Sequence, residues 1–255
     1  MNYSKIIDNS STFYIYDGSF DGLLSVVYQA VYSRITPVGI STEKNLQLSF
    51  DTRYVEVATN VNHARKVYNA LYKKIGSFGL RRLYCVFLSC DSEKDLVIYN
   101  YMLLGFKNGE ITNSALSNDT VAEAFKIAQN VSRETERYRQ FTRFSVMDWG
   151  VQYARIAPTN NVLPLLTPFF ISRLKVIPFV LHDVTHNLCA VYDTKDWHIS
   201  SGEGLHPPDK STREEEVEKL WKTFFDAIAI KERYNTRLQK QNMPSVYFKS
   251  VWSIV

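Results

Sequence analysis

Beyond residue 141 the chain alternates short apolar runs with turn-forming tripeptides. The runs 141–146 and 151–156 flank Asp148-Trp149-Gly150, and the runs 179–184 and 188–192 flank Thr185-His186-Asn187. Strands this short, joined by turns this tight, pair with their neighbours in sequence. The pattern predicts an antiparallel sheet built from hairpins. Residues 197–200 extend it, 163–174 predict a short helix, and Trp149 is expected to project from its hairpin tip.

The first half reads differently. Residues 13–16 form a short strand and Asp17-Gly18 a turn. Ser19 caps a helix whose Leu23, Leu24, Val27 and Val31 share one face. Residues 47–57 alternate as a strand or hairpin. A helix begins near Asn60, with Ala64, Val67, Leu71 and Ile75 inward, and ends at Gly76 or Gly79. Residues 83–88 fit either a strand or a buried helix. Residues 98–106 predict a helix, and Ser117-Asn118-Asp119 opens another that runs to about Tyr138. The fold class expected is α+β: helices packed on an antiparallel sheet, with a helix-rich first half. At 255 residues the chain can bury a large core, and a single domain over 1–255 is expected, with a soft boundary near 110–118.

Near the end, Ser211-x-x-Glu214 has the form of a capping box. The helix it opens, running to about Gln241, is expected to bury Val217, Leu220, Trp221, Phe224 and Ile228, and Pro244 opens a terminal helix. No apolar stretch is long enough to cross a bilayer, and the first eleven residues lack an apolar signal core, so a cytoplasmic chain is expected. Three cysteines suit a reducing compartment. Cys85 and Cys90 read as small buried hydrophobes.

Charge is distributed unevenly. Residues 57–90 contain Arg65, Lys66, Lys73, Lys74, Arg81 and Arg82 and no acid. Residues 130–175 carry seven basic residues, among them Arg143 and Arg173, against Glu134, Glu136 and Asp148. Residues 231–249 carry five, including Arg233 and Arg237, against Glu232. Such segregation suits an anionic partner, nucleic acid first. Arg233, Arg237 and Lys240 share one side of a helix, with Asn235 and Gln239 on a neighbouring strip. Arginine forks and amides suit phosphate and base-edge contacts alike.

Catalytic motifs are scarce. There is no G-x-x-x-x-G-K, no G-x-G-x-x-G and no G-x-S-x-G. Gly76-Ser77-Phe78-Gly79 is a G-x-x-G, read either as a helix-ending turn or as a nucleotide clamp. His182, Asp183 and His186 form the densest polar cluster. On a strand, however, 182 and 183 face opposite ways, so no metal, cluster or other cofactor is expected. His182 and Asp183 remain weak candidates for acid–base work.

Several segments resemble one family. Tyr16-Asp17-Gly18-Ser19-Phe20-Asp21-Gly22-Leu23-Leu24 is similar to its opening Y-D-G-S/T-F-E-G-L-L. Arg143-Phe144, then Tyr153-Ala154, Ile156 and Pro158, resemble its R-F and Y-A-x-I-x-P. Phe170-x-x-Arg173 and Leu181-His182-Asp183 resemble its F-x-x-R and I-H-D. Glu232-Arg233-x-Asn235, Leu238-Gln239, Gln241-x-Met243-Pro244 and Tyr247 resemble its closing block. The chain thus resembles the bacterial domain of unknown function 4130. Glu136, Phe169 and His186 stand where that pattern carries His, His and Arg. The resemblance implies a role in DNA metabolism or repair, beside a radical S-adenosylmethionine protein with a helix-hairpin-helix or a uracil-DNA-glycosylase-like domain. The leading expectation is an accessory module binding DNA and such an enzyme. Two readings compete with it: an enzyme acting on nucleic acid through His182 and Asp183, and a pure protein-interaction scaffold.

Overall fold

The computed structural model describes residues 11–42, 52–148, 150–205 and 209–228, together with 235, 237, 238 and 241. The chain divides into two compact units, Met1–Val131 and Ser132–Val255. The division falls inside a long helix.

The first unit holds a three-stranded parallel sheet. Strand β1 (Ser11–Tyr16) lies between β2 (Gly39–Thr42) and β3 (Thr52–Glu56). Strand β2 has no signal in the sequence, and of the two readings of 47–57, strand or hairpin, the strand is present at β3. Alternation records which face a side chain takes and carries no information about strand direction, so a parallel partner was invisible. Thr12, Tyr14 and Tyr16 turn into the core.

Helix α1 (Phe20–Ser33) follows β1 directly. Its start explains the Tyr-Asp-Gly-Ser opening. Ser19 Oγ accepts the Gly22 N–H at 2.9 Å, while Asp17 Oδ1 accepts from Ser19 N–H and Oγ–H at 2.9 and 2.7 Å. Thr59 Oγ1 donates to Asp17 Oδ2 at 2.6 Å, tying the loop after β3 to the same cap. A Cβ on Gly22 would overlap the Asp17 carboxylate, so only glycine fits there. Leu23, Leu24, Val26 and Val27 are fully buried behind it, and Val31 is exposed.

Helix α2 (Val61–Phe87) is broken at Gly76, whose φ of 68° and ψ of −178° no helix contains. The glycine therefore kinks the chain where an end was expected, and 83–88 belong to the second helical segment. Helix α3 (Lys94–Asn108) stops at Gly109, and a 3-10 turn (Gly109–Ser114) follows. Lys94, half-buried, donates to the carbonyls of Phe87 and Ser89 at 2.8 and 2.7 Å and closes the end of α2. Cys85 is buried as expected, but Cys90 is exposed.

Helix α4 (Asp119–Phe141) buries Val121, Ala124, Ala128, Val131, Thr135 and Tyr138 along one stripe. In the second unit, strands β4 (Ser145–Val146), β5 (Gln152–Ile156), β6 (Phe179–Asp183), β7 (Leu188–Tyr192) and β8 (Trp197–Ser201) form one sheet in that order. Three pairings are antiparallel, as the turns predict. β5 and β6 are parallel, because helix α5 (Leu163–Leu174) carries the chain back to the same end of the sheet. The α+β class stands, and the wholly antiparallel description is corrected.

Helix α6 (Thr212–Ile228) starts as half a capping box: Ser211 Oγ accepts the Glu214 N–H at 3.2 Å. The Glu214 carboxylate does not return the bond but turns to Arg143. Val217, Leu220, Trp221 and Phe224 are 45, 68, 44 and 53% exposed, so the expected buried stripe is not inward among the described residues. Trp149, Ile228's side chain, Gln239 and the terminal helix after Pro244 lie outside the described residues.

Asp95 supplies a measurable feature. It is buried, hydrogen bonded to Tyr16, and burial lifts its pKa from 3.8 to about 6. Its ionised form is disfavoured in the fold, so stability falls as pH rises from about 4 to about 6 and stays lower above that. The gap amounts to at most roughly 3 kcal/mol. Asp95→Asn is expected to melt several degrees higher than wild type at pH 7.5, with the difference vanishing near pH 4 in pH-resolved thermal denaturation.

Candidate nucleic-acid interface

Before the kink at Gly76, α2 has a clear inside and outside. Ala64, Val67, Leu71 and Ile75 are buried, and the opposite side is presented by Asn62, Arg65, Lys66, Asn69 and Lys73, all exposed. A period of 3.6 residues puts Asn62, Lys66, Asn69 and Lys73 on one strip, with Arg65 at its edge. Tyr68 and Tyr72 border it, 44 and 55% exposed. Lys74 is exposed on the flank, and Arg81 is exposed beyond the kink, on the second segment. The acid-free run thus becomes a surface in its first half.

Arg82 is the exception. It is 8% exposed. Its Nη1 donates to Tyr101 Oη at 3.1 Å and to the Asn113 carbonyl at 2.8 Å. Phe78 and Phe125 lie 5.1 and 5.3 Å from the guanidinium. Of the G-x-x-G that precedes it, Gly79 is internal, where a Cβ would meet Asn113 and Ile75, while Ser77 and Phe78 are exposed. Sequence could not separate Arg82 from Arg81, because the burying residues come from α3, the 3-10 turn and α4.

The other basic candidates fall into three groups. Arg143 Nη2 is bound to Glu214 Oε1 at 2.8 Å, and Glu214 Oε2 accepts the Val146 N–H at 3.3 Å, so this arginine clamps β4 to the start of α6. Arg173 is exposed at the end of α5, and Arg237 is exposed beside a turn in which Asn235 Oδ1 accepts the Leu238 N–H at 3.0 Å. Arg233, Gln239 and Lys240 lie outside the described residues.

His182 and Asp183 do face opposite ways. His182 is buried, its Nδ1 2.7 Å from Tyr153 Oη, with Gly202 packed against Nε2. Burial, then Arg155, holds its pKa below the usual value. Asp183 is fully buried. Its Oδ1 accepts the N–H groups of Thr185 and His186, and its Oδ2 meets His186 Nδ1 at 2.7 Å. The carboxylate therefore organises the β6–β7 turn. Among the described residues no three His, Cys, Asp or Glu side chains gather as a metal site.

One concavity went unread in the sequence. A cavity of about 410 Å³ opens at the carboxyl ends of the parallel strands, lined by Tyr16, Asp17, Thr42, Glu56 and Thr59. Open α/β sheets hold ligands at this position. Burial would raise the Asp17 pKa, but hydrogen bonds from Thr59 and Ser19 outweigh it and hold the group below the usual carboxylate range. With Glu56 beside it, the mouth is acidic and unsuited to phosphate.

The family model of the domain of unknown function DUF4130 matches residues 92–252. The chain belongs to the DUF4130 family. No curated protein matches it. The DUF4130 segment starts just before α3, so the Tyr16–Leu24 motif and the α2 face lie ahead of it. Two of the three departures from the family pattern meet at one residue: Glu136 lies 3.5 Å from Arg139 Nη1, and Arg139 stands over the Phe169 ring at 5.2 Å. The third, His186, pairs with Asp183.

Two outcomes test these assignments. Arg82→Ala is expected to cost roughly 2–4 kcal/mol in denaturant titration, and Arg65→Ala at most about 0.5 kcal/mol. The hydrogen bond to Asp183 raises the His186 pKa above 6.5. Its stabilising increment, roughly 1–2 kcal/mol, is then full below pH 6.5 and is lost as pH climbs through the raised value. The melting-temperature gap between wild type and His186→Gln should shrink over that interval.

Proposed function

We propose that this chain is a DNA-binding accessory module, with the outer face of the first α2 segment as its contact surface. The observation that carries the reading is the exposure of Arg65, Lys66 and Lys73, with Asn62 and Asn69, on a helix face free of acids. Lysine and arginine neutralise phosphates and release their counterions, while the amides and the flanking Tyr68 and Tyr72 supply polar and stacking contacts. Lys74 and Arg81 extend the basic field to either side of the kink. Arg82 and Arg143 are committed to internal partners and take no part.

The role in DNA metabolism or repair, and the companionship of a radical S-adenosylmethionine or glycosylase-type enzyme, rest on the family resemblance. His182 does not favour the enzymatic alternative, since Tyr153 takes one ring nitrogen and the side chain is buried.

Fluorescence anisotropy of labelled DNA at rising salt tests the proposal. Wild type is expected to bind at low salt and to weaken steeply between about 50 and 200 mM. The double variant Lys66→Glu, Lys73→Glu should lose at least about tenfold in affinity, and its log–log salt slope should be shallower by roughly 1.4–1.8. Absence of binding at low salt, or indifference to the double reversal, would sink the reading.

A further inference from the structure

Helix α1 places a second chemistry beside the basic face. The Tyr28 ring lies against the His63 ring with centroids 4.0 Å apart and planes 13° from parallel, and against Tyr32 at 5.7 Å and 10°. Lys66 Nζ stands 5.7 Å from the centre of the Tyr28 ring. Two helices thus contribute three nearly parallel rings and a cation. Their alignment is fixed from below: the Asn60 N–H donates to Ser25 Oγ at 3.0 Å, and that hydroxyl donates to the Asp21 carbonyl at 2.8 Å, so α1 and α2 are pinned just beneath the rings.

The rings are not core. Tyr32 is 80% exposed and its neighbour Val31 48%. The surroundings are basic: Arg65 and Lys66 on α2, and Arg34, exposed two residues past Tyr32. The only acid of α1 is Asp21, seven residues before Tyr28. A flat, ordered aromatic surface within a positive field offers stacking to any π-face that arrives with negative charge. Nucleobases in single strands have free faces, whereas duplex bases spend theirs on one another.

We infer that Tyr32, held parallel to Tyr28 and His63, receives an unpaired base of single-stranded DNA, while Lys66, Arg65 and Arg34 take the adjoining phosphates. The inference rests on the reading of α2 as a DNA-binding face and adds strand preference to it. Duplex DNA reaches the same lysines but not the ring.

The test compares a labelled oligothymidylate with a duplex of equal length at low salt, using the full chain, Tyr32→Ala, Tyr32→Trp and Lys66→Glu. Tyr32 is exposed enough that its loss should leave the melting temperature unchanged. Wild type is expected to prefer the single strand. Tyr32→Ala should weaken the single strand by about 5- to 100-fold and leave the duplex within about twofold, and Tyr32→Trp should retain single-strand affinity. Equal or better binding of duplex by wild type, or a Tyr32→Ala variant that binds oligothymidylate as wild type does, overturns the inference. If Lys66→Glu weakens both nucleic acids while Tyr32→Ala weakens neither, the α2 reading stands and the stacking platform falls. If wild type binds neither nucleic acid, both fall.

Discussion

The helix break at Gly76 sets the arrangement of the first unit. Leaving the helical path strands the Ile75 carbonyl, which would normally accept from the next turn. Asn113 Nδ2 takes it at 2.8 Å, from the far end of the 3-10 turn. Tyr101 Oη donates to Asn113 Oδ1 at 2.8 Å, and Arg82 holds both the tyrosine hydroxyl and the Asn113 carbonyl. One chain of bonds therefore joins both segments of α2, α3 and the 3-10 turn. Arg82 has no carboxylate partner among the described residues. The charge is tolerated because hydrogen bonds and the faces of Phe78, Tyr101 and Phe125 replace part of its hydration. Gly105 packs against Ile75 in the same place, leaving no space for a side chain between α3 and the break.

That arrangement explains which parts of the fold were legible. Ser19, Asn60 and Ser211 mark helix starts by hydroxyl or amide chemistry local to a few residues, and each cap is present. The Thr185-His186-Asn187 turn is held by Asp183 two and three residues away, again local. Strand direction is different. Nothing within β1, β2 or β3 specifies that they run parallel, because the deciding contacts lie across the sheet. The α5 crossover shows the same limit: the helix was readable, but its effect of returning the chain to run beside β5 was not. In α6 the apolar spacing was readable, yet spacing says only that residues share a side, not that anything covers it.

The site divides along the same line. The acid-free stretch was visible in composition, and helical periodicity sorts Arg65, Lys66 and Lys73 onto an outer face. Arg82 has the same chemistry in the same run and goes inside, since partners 19 to 43 residues along the chain enclose it. The tyrosine–histidine stack was missed for a related reason. Tyr28 and His63 stand on separate helices, and the packing of α1 on α2, with the Ser25–Asn60 bond, brings them together. Tyr28 and Tyr32, four residues apart, share an edge of α1 away from the Leu23–Val27 core.

All four tryptophans, at 149, 197, 221 and 252, fall after Val131. The first unit has tyrosine and phenylalanine but no tryptophan, with Tyr14 and Tyr101 buried and Tyr32 open to solvent. Light absorbed only by indole therefore reports on the second unit and is blind to the first. The second unit thus carries an optical signature of its own without any added label: its unfolding can be followed by indole emission, whereas the phenol signal is shared, with Tyr138, Tyr153, Tyr192, Tyr234 and Tyr247 in the second unit and the other tyrosines in the first. A ligand that changes indole emission therefore acts on the second unit, and one that leaves it untouched while quenching phenol emission points to the tyrosine-rich first.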